Sequence, residues 1–250
     1  MLYVSCELKD DNCGSMVIRY VIIAFLLFIV GCSSEMDSQV DLLTAFDFES
    51  GDQEWDGGIS DFPVGYEDSI YFQMNTEKVA NSFALDGGST GLNISGENPH
   101  GDLFYFFKRK ISGLLPRKNY KLDFEFLVYA QLLKQPDQLS SEELYLKIGA
   151  VNYQPELQEV LWRNSLDYKA LNLDKGDINS EGGQDMINIG SIKDFTSEVP
   201  EIISGNTFDM NFDIESNEDG DIWILIGVDS GIRSYLTFGL DALTVYYNEK

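Results

Sequence analysis

Apolar and polar residues alternate with a period of two through much of this chain. In Asp123-Phe124-Glu125-Phe126-Leu127-Val128 the period sends Phe124, Phe126 and Val128 to a core and Asp123 and Glu125 to water. Leu144-Tyr145-Leu146-Lys147-Ile148 and Phe208-Asp209-Met210-Asn211-Phe212-Asp213-Ile214 repeat it. The run Asp221-Ile222-Trp223-Ile224-Leu225-Ile226-Gly227 is apolar on both faces. It predicts a central strand, or one whose second face carries a ligand or a covering loop. Short strands separated by Gly, Asn and Asp clusters, with no internal repeat, predict an all-β sandwich.

Two connections look like hairpins. Asn217-Glu218-Asp219-Gly220 has the Asp-Gly pair of a tight turn with positive φ, and residues 112–119 make a longer turn between Phe104–Ile111 and Tyr120–Tyr129. Helix signals are few. Ser140-Ser141-Glu142-Glu143 resembles a cap but leads into a strand, and Pro155–Leu161 suits a turn or two of helix with Pro first. Residues 131–143 and roughly 152–205 read as long insertions on one sandwich.

The N-terminus has a different pattern. Arg19 precedes a long apolar run that ends in Ile29-Val30-Gly31-Cys32. A charged start, an apolar middle and a small residue before the cut make a secretory signal. The run is short for a transmembrane helix, and polar Ser33, Ser34, Glu35 and Asp37 follow it with no stop-transfer cation. The quartet resembles the lipobox of bacterial lipoproteins, which implies acylation of Cys32 by two or more chains and stable anchoring. Glu7, Asp10 and Asp11 do not suit a signal, so Met16 is the expected start. The expected organisation is a signal over 1–31, a lipidated tether over 32–41 and one sandwich over 42–250. Ser33 fits sorting to the outer membrane of a diderm cell envelope.

Composition then narrows the chemistry. Removing residues 1–31 takes away Cys6 and Cys13, so the mature chain holds Cys32 alone and no internal disulfide. It also leaves 15 basic and 39 acidic residues. That balance excludes nucleic acid as a partner and favours neutral or cationic ligands and hard cations. With His100 as the sole histidine, most zinc sites are excluded, and a triad would have it as its one candidate base; its turn-like Asn-Pro-His-Gly-Asp setting reads instead as a surface loop. Against this background Lys108, Arg109, Lys110, Arg117, Lys118 and Lys121 form a basic cluster. It reads as a docking patch for an acidic partner, or as an edge hairpin whose lysines block strand pairing.

Phe46-Asp47-Phe48-Glu49-Ser50-Gly51 with Trp55 and Gly57-Gly58 resembles the first strand and loop of galactose-binding-like jelly rolls, the fold of many carbohydrate-binding modules. Asp241–Tyr247 resembles their last strand. Gly57–Gly65, Asp102–Lys110 and Gly227–Gly231 resemble a group of bacterial lipoproteins of no assigned function. The resemblance implies a jelly-roll-like sandwich and export, and no activity. It also implies a structural calcium at Glu49 and Asp241, with Asp52 near; no cofactor is required.

The leading functional reading is a non-catalytic binding domain, for carbohydrate. Sugar sites use flat rings and polar side chains. Trp55, Asp61 and Tyr66 sit in one loop region, with Asp56 beside them. Tyr153 and Trp162 sit in the long middle connection, flanked by Asn152, Arg163 and Asn164. The tryptophans fit a core equally well. An envelope protein that docks another protein, with no small ligand, is the alternative class. A glycoside hydrolase built on a carboxylate pair ranks third.

Overall fold

The computed structural model describes residues 42–67, 72–78, 90–99, 101–133, 144–162, 166–177, 179–192 and 201–250. Cys32, its signal and its tether lie outside them, as do His100, Arg163, Asn164 and residues 134–143. Residues 40–250 group as one compact unit.

The described elements are all strands: β1 (Leu42–Phe46), β2 (Asp56–Ser60), β3 (Phe62–Pro63), β4 (Phe72–Lys78), β5 (Thr90–Glu97), β6 (Leu103–Ile111), β7 (Asn119–Leu133) and β8 (Leu144–Val151) come first. Then come β9 (Leu157–Trp162), β10 (Leu166–Leu171), β11 (Met186–Ile192), β12 (Glu201–Asn206), β13 (Phe212–Glu215), β14 (Ile222–Ser230) and β15 (Tyr235–Glu249). A seven-stranded sheet runs β12-β7-β15-β5-β4, with β1 added to β15 and β13 to β7. A five-stranded sheet runs β11-β8-β14-β6-β2, and a small third sheet runs β3-β10-β9. The chain passes directly between the two large sheets at β1–β2, β5–β6, β6–β7, β7–β8, β11–β12, β13–β14 and β14–β15. That alternation makes a jelly-roll-like sandwich.

The period of two does what it predicts. Phe124 and Val128 of β7 and Phe238, Leu240 and Val245 of β15 face Tyr105, Phe107, Ile148, Ile224 and Ile226 of the other sheet in one core. Each such side chain contributes about 1.5–3 kcal/mol by leaving water. Phe126 joins them, whereas Asp123, expected in water, is buried beside Lys121. In the 208–214 segment the strand begins only at Phe212, and Phe208 is an exposed turn residue.

Several expectations about connections are corrected. Neither supposed hairpin is one, because each joins strands of different sheets. The two loops lie side by side: the Leu114 N–H donates to Gly220 O at 3.0 Å and the Arg117 N–H to Asn217 O at 3.1 Å. Gly220 has φ +76°, and a Cβ there would meet Leu114 O at 2.0 Å. The supposed helix at 155–161 becomes β9, paired in register with β10. Residues 152–205 hold β9, β10, β11 and most of β12 rather than bare connection. No helix among the described residues is long and apolar enough to cross a membrane.

The doubly apolar strand is β14, central between β8 and β6. Its second face is covered. Leu225 and Trp223 pack with Phe104, Phe106, Val151 and Met186 under Leu171 at the end of β10 and Leu173 just beyond. Of the two outcomes open to that face, a covering segment is the one realised there.

Candidate functional site

Of the residues expected to share a sugar face, Trp55 turns into the core, while the small sheet joins the Asp61–Tyr66 segment to β10 and β10 to the strand that ends at Trp162. Trp55 is only 3% exposed, and its ring meets Phe46 edge-on at 5.2 Å and Phe48 at 6.1 Å. It closes the end of the core and presents no face to a ligand. Tyr66 is exposed in the turn after β3, where its N–H donates to Pro63 O at 3.2 Å. Trp162 ends β9 opposite Leu166, and its side chain lies outside what is described. Asp61 enters a buried ion network, described below.

Tyr153 belongs to a knot of carboxylates in the insertion. Its hydroxyl donates to Asp185 Oδ2 at 3.2 Å, and the Asp174 N–H donates to the same oxygen at 2.7 Å. Asp174 in turn accepts the N–H groups of Gly176 and Gln184. Both acids therefore serve the backbone, which weighs against reading them as a hydrolytic pair. Burial, with Asp185 close by, pushes the Tyr153 phenol up to about 12, and burial pushes Tyr247 to about 12 and Tyr105 higher still. A raised phenol stabilises the fold fully below the ordinary tyrosine value of about 10 and loses that contribution as pH rises through the folded value. An ultraviolet titration of the native protein is expected to show a late tyrosine fraction that vanishes in denaturant. Tyr153→Phe is expected to shrink it. A native titration identical to the denatured one refutes these environments.

Of the residues expected at calcium, Glu49 and Asp52 both accept backbone N–H groups. Glu49 accepts the Thr90 N–H at 2.7 Å and so ties the first loop to the start of β5. Asp52 accepts the Glu54 N–H at 3.0 Å within its own loop. Asp241 stands at the irregularity in β15 between Leu240 and Ala242. Among the described residues no three His, Cys, Asp or Glu side chains are placed to share a metal.

The basic cluster is internally compensated. Lys108 pairs with Asp56 at 3.6 Å, Arg109 with Glu54 at 3.0 Å, Lys110 with Asp221 at 2.6 Å and Arg117 with Glu218. Lys118 pairs with Glu249 at 2.8 Å and Lys121 with Asp123 at 3.1 Å. The hairpin reading fails, because β6 and β7 belong to different sheets. Each cation has a carboxylate of this chain beside it, and β6 runs past the end of β2 at Arg109 and Lys110, where it has no partner strand on that side.

An unforeseen cluster lies on the covered face of the five-stranded sheet. Lys147 of β8 is 0% exposed and Asp229 of β14 is 1% exposed at the side chain; they meet at 3.0 Å. Lys175, from the loop after β10, reaches the same Asp229 oxygen at 2.6 Å and Asp61 at 2.8 Å. The Lys147 ammonium also donates to the Lys175 carbonyl at 2.9 Å. Two lysines and two aspartates balance. Burial drags the Lys147 ammonium below its ordinary value despite Asp229. Burial pulls on Lys175 too, but Asp61 and Asp229 outweigh it and hold it above its ordinary value. Burial raises the Asp61 carboxyl against the pull of Lys175. Lys147, sealed from solvent, reaches no substrate. The network ties the covering loop to the sheet.

The outer face of the seven-stranded sheet has a different chemistry. Tyr129 and Asn93 both pair with Gly239, and Asn75 pairs with Asn93. One step along, Gln131 and Ser95 both pair with Thr237, and Gln73 pairs with Ser95. Their strand neighbours Ala130, Ile94 and Phe238 enter the core, so these two rows share the opposite face. The Tyr129 ring lies against Gly239, where a Cβ would come within 1.9 Å of it. Asn93 Nδ2 donates to the Tyr129 hydroxyl at 3.3 Å. The face therefore carries uncharged amides and hydroxyls, with Gln73 exposed, Asn75, Gln131, Ser95 and Thr237 half-buried, and Tyr129 and Asn93 buried against each other at its centre. Beyond Tyr129 it dips into a hollow of about 440 Å³ bounded by Glu125, Leu127, Ser204, Asn206, Ala242 and Thr244. Alternating polar residues in Gln73-Met74-Asn75 and Asn93-Ile94-Ser95 were the sequence signal for this face.

No protein-family model matches the chain, and no curated protein matches its sequence. Similar solved structures include a family 61 carbohydrate-binding module in complex with β-1,4-galactotriose, at 11% identity over 82% of this chain and 94% of that one, TM-score 0.35. A xylan-binding domain from Paenibacillus barcinonensis aligns at 9% identity over 85% and 99%, TM-score 0.38. A mannan-recognising carbohydrate-binding module aligns at 14% identity over 84% and 99%, TM-score 0.35. The sandwich itself is defined by the two sheets and their shared core.

Proposed function

We propose that this chain is a lipid-anchored lipoprotein of the bacterial cell envelope whose sandwich binds a neutral glycan without transforming it. The observation that carries the reading is the double row Gln131-Thr237-Ser95-Gln73 and Tyr129-Gly239-Asn93-Asn75 beside a hollow. Each primary amide offers two donors and an acceptor, and each hydroxyl one donor and two acceptors. That density of uncharged, two-way groups suits sugar hydroxyls. The overall acidity of the chain disfavours anionic polysaccharides instead.

Affinity electrophoresis of the chain from Ser33 onward, in gels containing neutral polysaccharides, tests this reading. Retardation by at least one is expected. Gln73→Ala with Gln131→Ala is expected to weaken it at least tenfold while leaving the melting temperature within a few degrees, since neither side chain is in the core. No retardation by any neutral polysaccharide overturns the reading. Anchoring rests on Ile29-Val30-Gly31-Cys32. Cys32→Ala is expected to move the protein from the membrane fraction to the soluble one. A mutant that stays with membranes refutes lipidation there.

A further inference from the structure

The Gly57-Gly58-Ile59-Ser60-Asp61-Phe62 stretch opens a second concavity, away from the amide face. It is a cleft of about 480 Å³ where β2, β4 and the small sheet come together. That volume lies in the usual range for a small-molecule site. Its floor is apolar, made by Ile59, Phe62, Phe106 and Leu171, and its walls include Phe72 and Leu157. Those two wall residues are 41% and 46% exposed, so both offer carbon surface to an occupant. Gly58 shapes the floor. A Cβ there would come within 3.0 Å of the Phe106 ring, and its absence lets the ring lie over the strand.

Charge decides what fits. Three carboxylates line the cleft, those of Asp56, Glu67 and Glu156. The single cation among the lining residues, Lys108, is already engaged: its ammonium donates to Pro155 O at 2.9 Å and pairs with Asp56 at 3.6 Å. Glu67, which accepts the Gly65 N–H at 2.8 Å, and Glu156 both stand exposed at the mouth, so a cation seated on the apolar floor gains from their charge where a neutral occupant does not. An anion is repelled. A cation with an apolar body satisfies both halves, since an ammonium also gains from the face of an exposed aromatic ring such as Phe72.

We propose that this cleft binds a small organic cation, an ammonium or guanidinium group carried on an apolar body, independently of glycan on the other sheet. The test uses phenethylamine and its uncharged counterpart 2-phenylethanol, titrated into the chain from Ser33 onward and followed by saturation-transfer NMR and calorimetry. Phenethylamine is expected to saturate a single site at least tenfold more tightly than the alcohol. Glu67→Gln with Glu156→Gln is expected to erase that preference. Leu157→Trp, which fills the cleft from an exposed wall, is expected to abolish both ligands' binding. Melting curves identify any variant that fails to fold, and the two substitutions act through different chemistry.

Equal affinity for amine and alcohol overturns the cation assignment. Amine binding that survives Leu157→Trp places the cation elsewhere on the acidic surface and overturns the site. Glycan retardation is expected to be unchanged in all these variants. If it is lost with them, the cleft belongs to the glycan site and the proposal of a separate one fails. If the wild-type domain binds the amine but no polysaccharide, the glycan reading alone is refuted.

Discussion

Asp229→Asn is expected to lower the unfolding free energy by about 3–5 kcal/mol, the usual cost of stripping one partner from a buried ion pair. Asp229 Oδ2 is the one oxygen that Lys147 and Lys175 share. Asparagine takes away the charge that the two ammonium groups share and leaves them beside each other. Lys147 is sealed from water, so it must lose its proton or drag the covering loop open. Either response appears as a lower urea midpoint. Asp229→Leu combined with Lys147→Met is expected to recover part of the loss, because it removes opposite charges together and leaves Lys175 paired with Asp61. The exposed pair Arg117–Glu218 is the internal contrast: Arg117→Ala is expected to cost less than about 1 kcal/mol. An Asp229→Asn midpoint as mild as that of Arg117→Ala would mean that the network is not closed in solution.

Gly239→Ala is expected to damage both stability and glycan binding. The added methyl would overlap the Tyr129 ring at 1.9 Å, and that ring is nine-tenths buried with its hydroxyl held by Asn93. Overpacking of this kind costs about 1–3 kcal/mol. The displaced ring also breaks the row that the amide face depends on, so retardation in polysaccharide gels is expected to fall at least tenfold. Tyr129→Ala added to Gly239→Ala removes the overlap. It is expected to recover part of the stability relative to Gly239→Ala but none of the binding. If Gly239→Ala alone melts like the wild type and binds polysaccharide normally, the ring does not rest on that glycine and the face has no defined centre at Tyr129.

The two effects read different parts of one design. On the five-stranded sheet the outer face is apolar at Trp223 and Leu225 and ionic at Lys147 and Asp229, and a segment of the chain covers it. On the seven-stranded sheet the outer face carries amides and hydroxyls around Tyr129. The cleft with Asp56, Glu67 and Glu156 sits at the margin of the first sheet. A ligand reading for each concavity follows from the chemistry its residues present.

Local pattern determined much of the fold. The period of two in β7 and β8 assigned Phe124, Phe126, Val128 and Ile148 to the core. The doubly apolar β14 read as a central strand, or as one with a ligand or a loop on its second face. These were legible because a strand's own residues decide which side faces oil and which faces water. Residue alternation could not say what would cover a face. Lys147 stands at a polar position of its strand and reads as solvated, yet a loop that begins some two dozen residues later buries it. The six basic residues looked unpaired in sequence because Glu54, Asp56, Asp123, Asp221, Glu218 and Glu249 reach them mostly from distant segments. Trp55 looked equally suited to rim and core, and only the rings of Phe46 and Phe48 decided between them. The amide face shows the same division. Gln73, Asn75, Asn93, Ser95, Gln131 and Thr237 each declare which side of their strand is polar, but their assembly into two rows depends on cross-strand register. Register is set by pairings between segments far apart in the chain, and a side chain's own neighbours along the sequence carry no record of them.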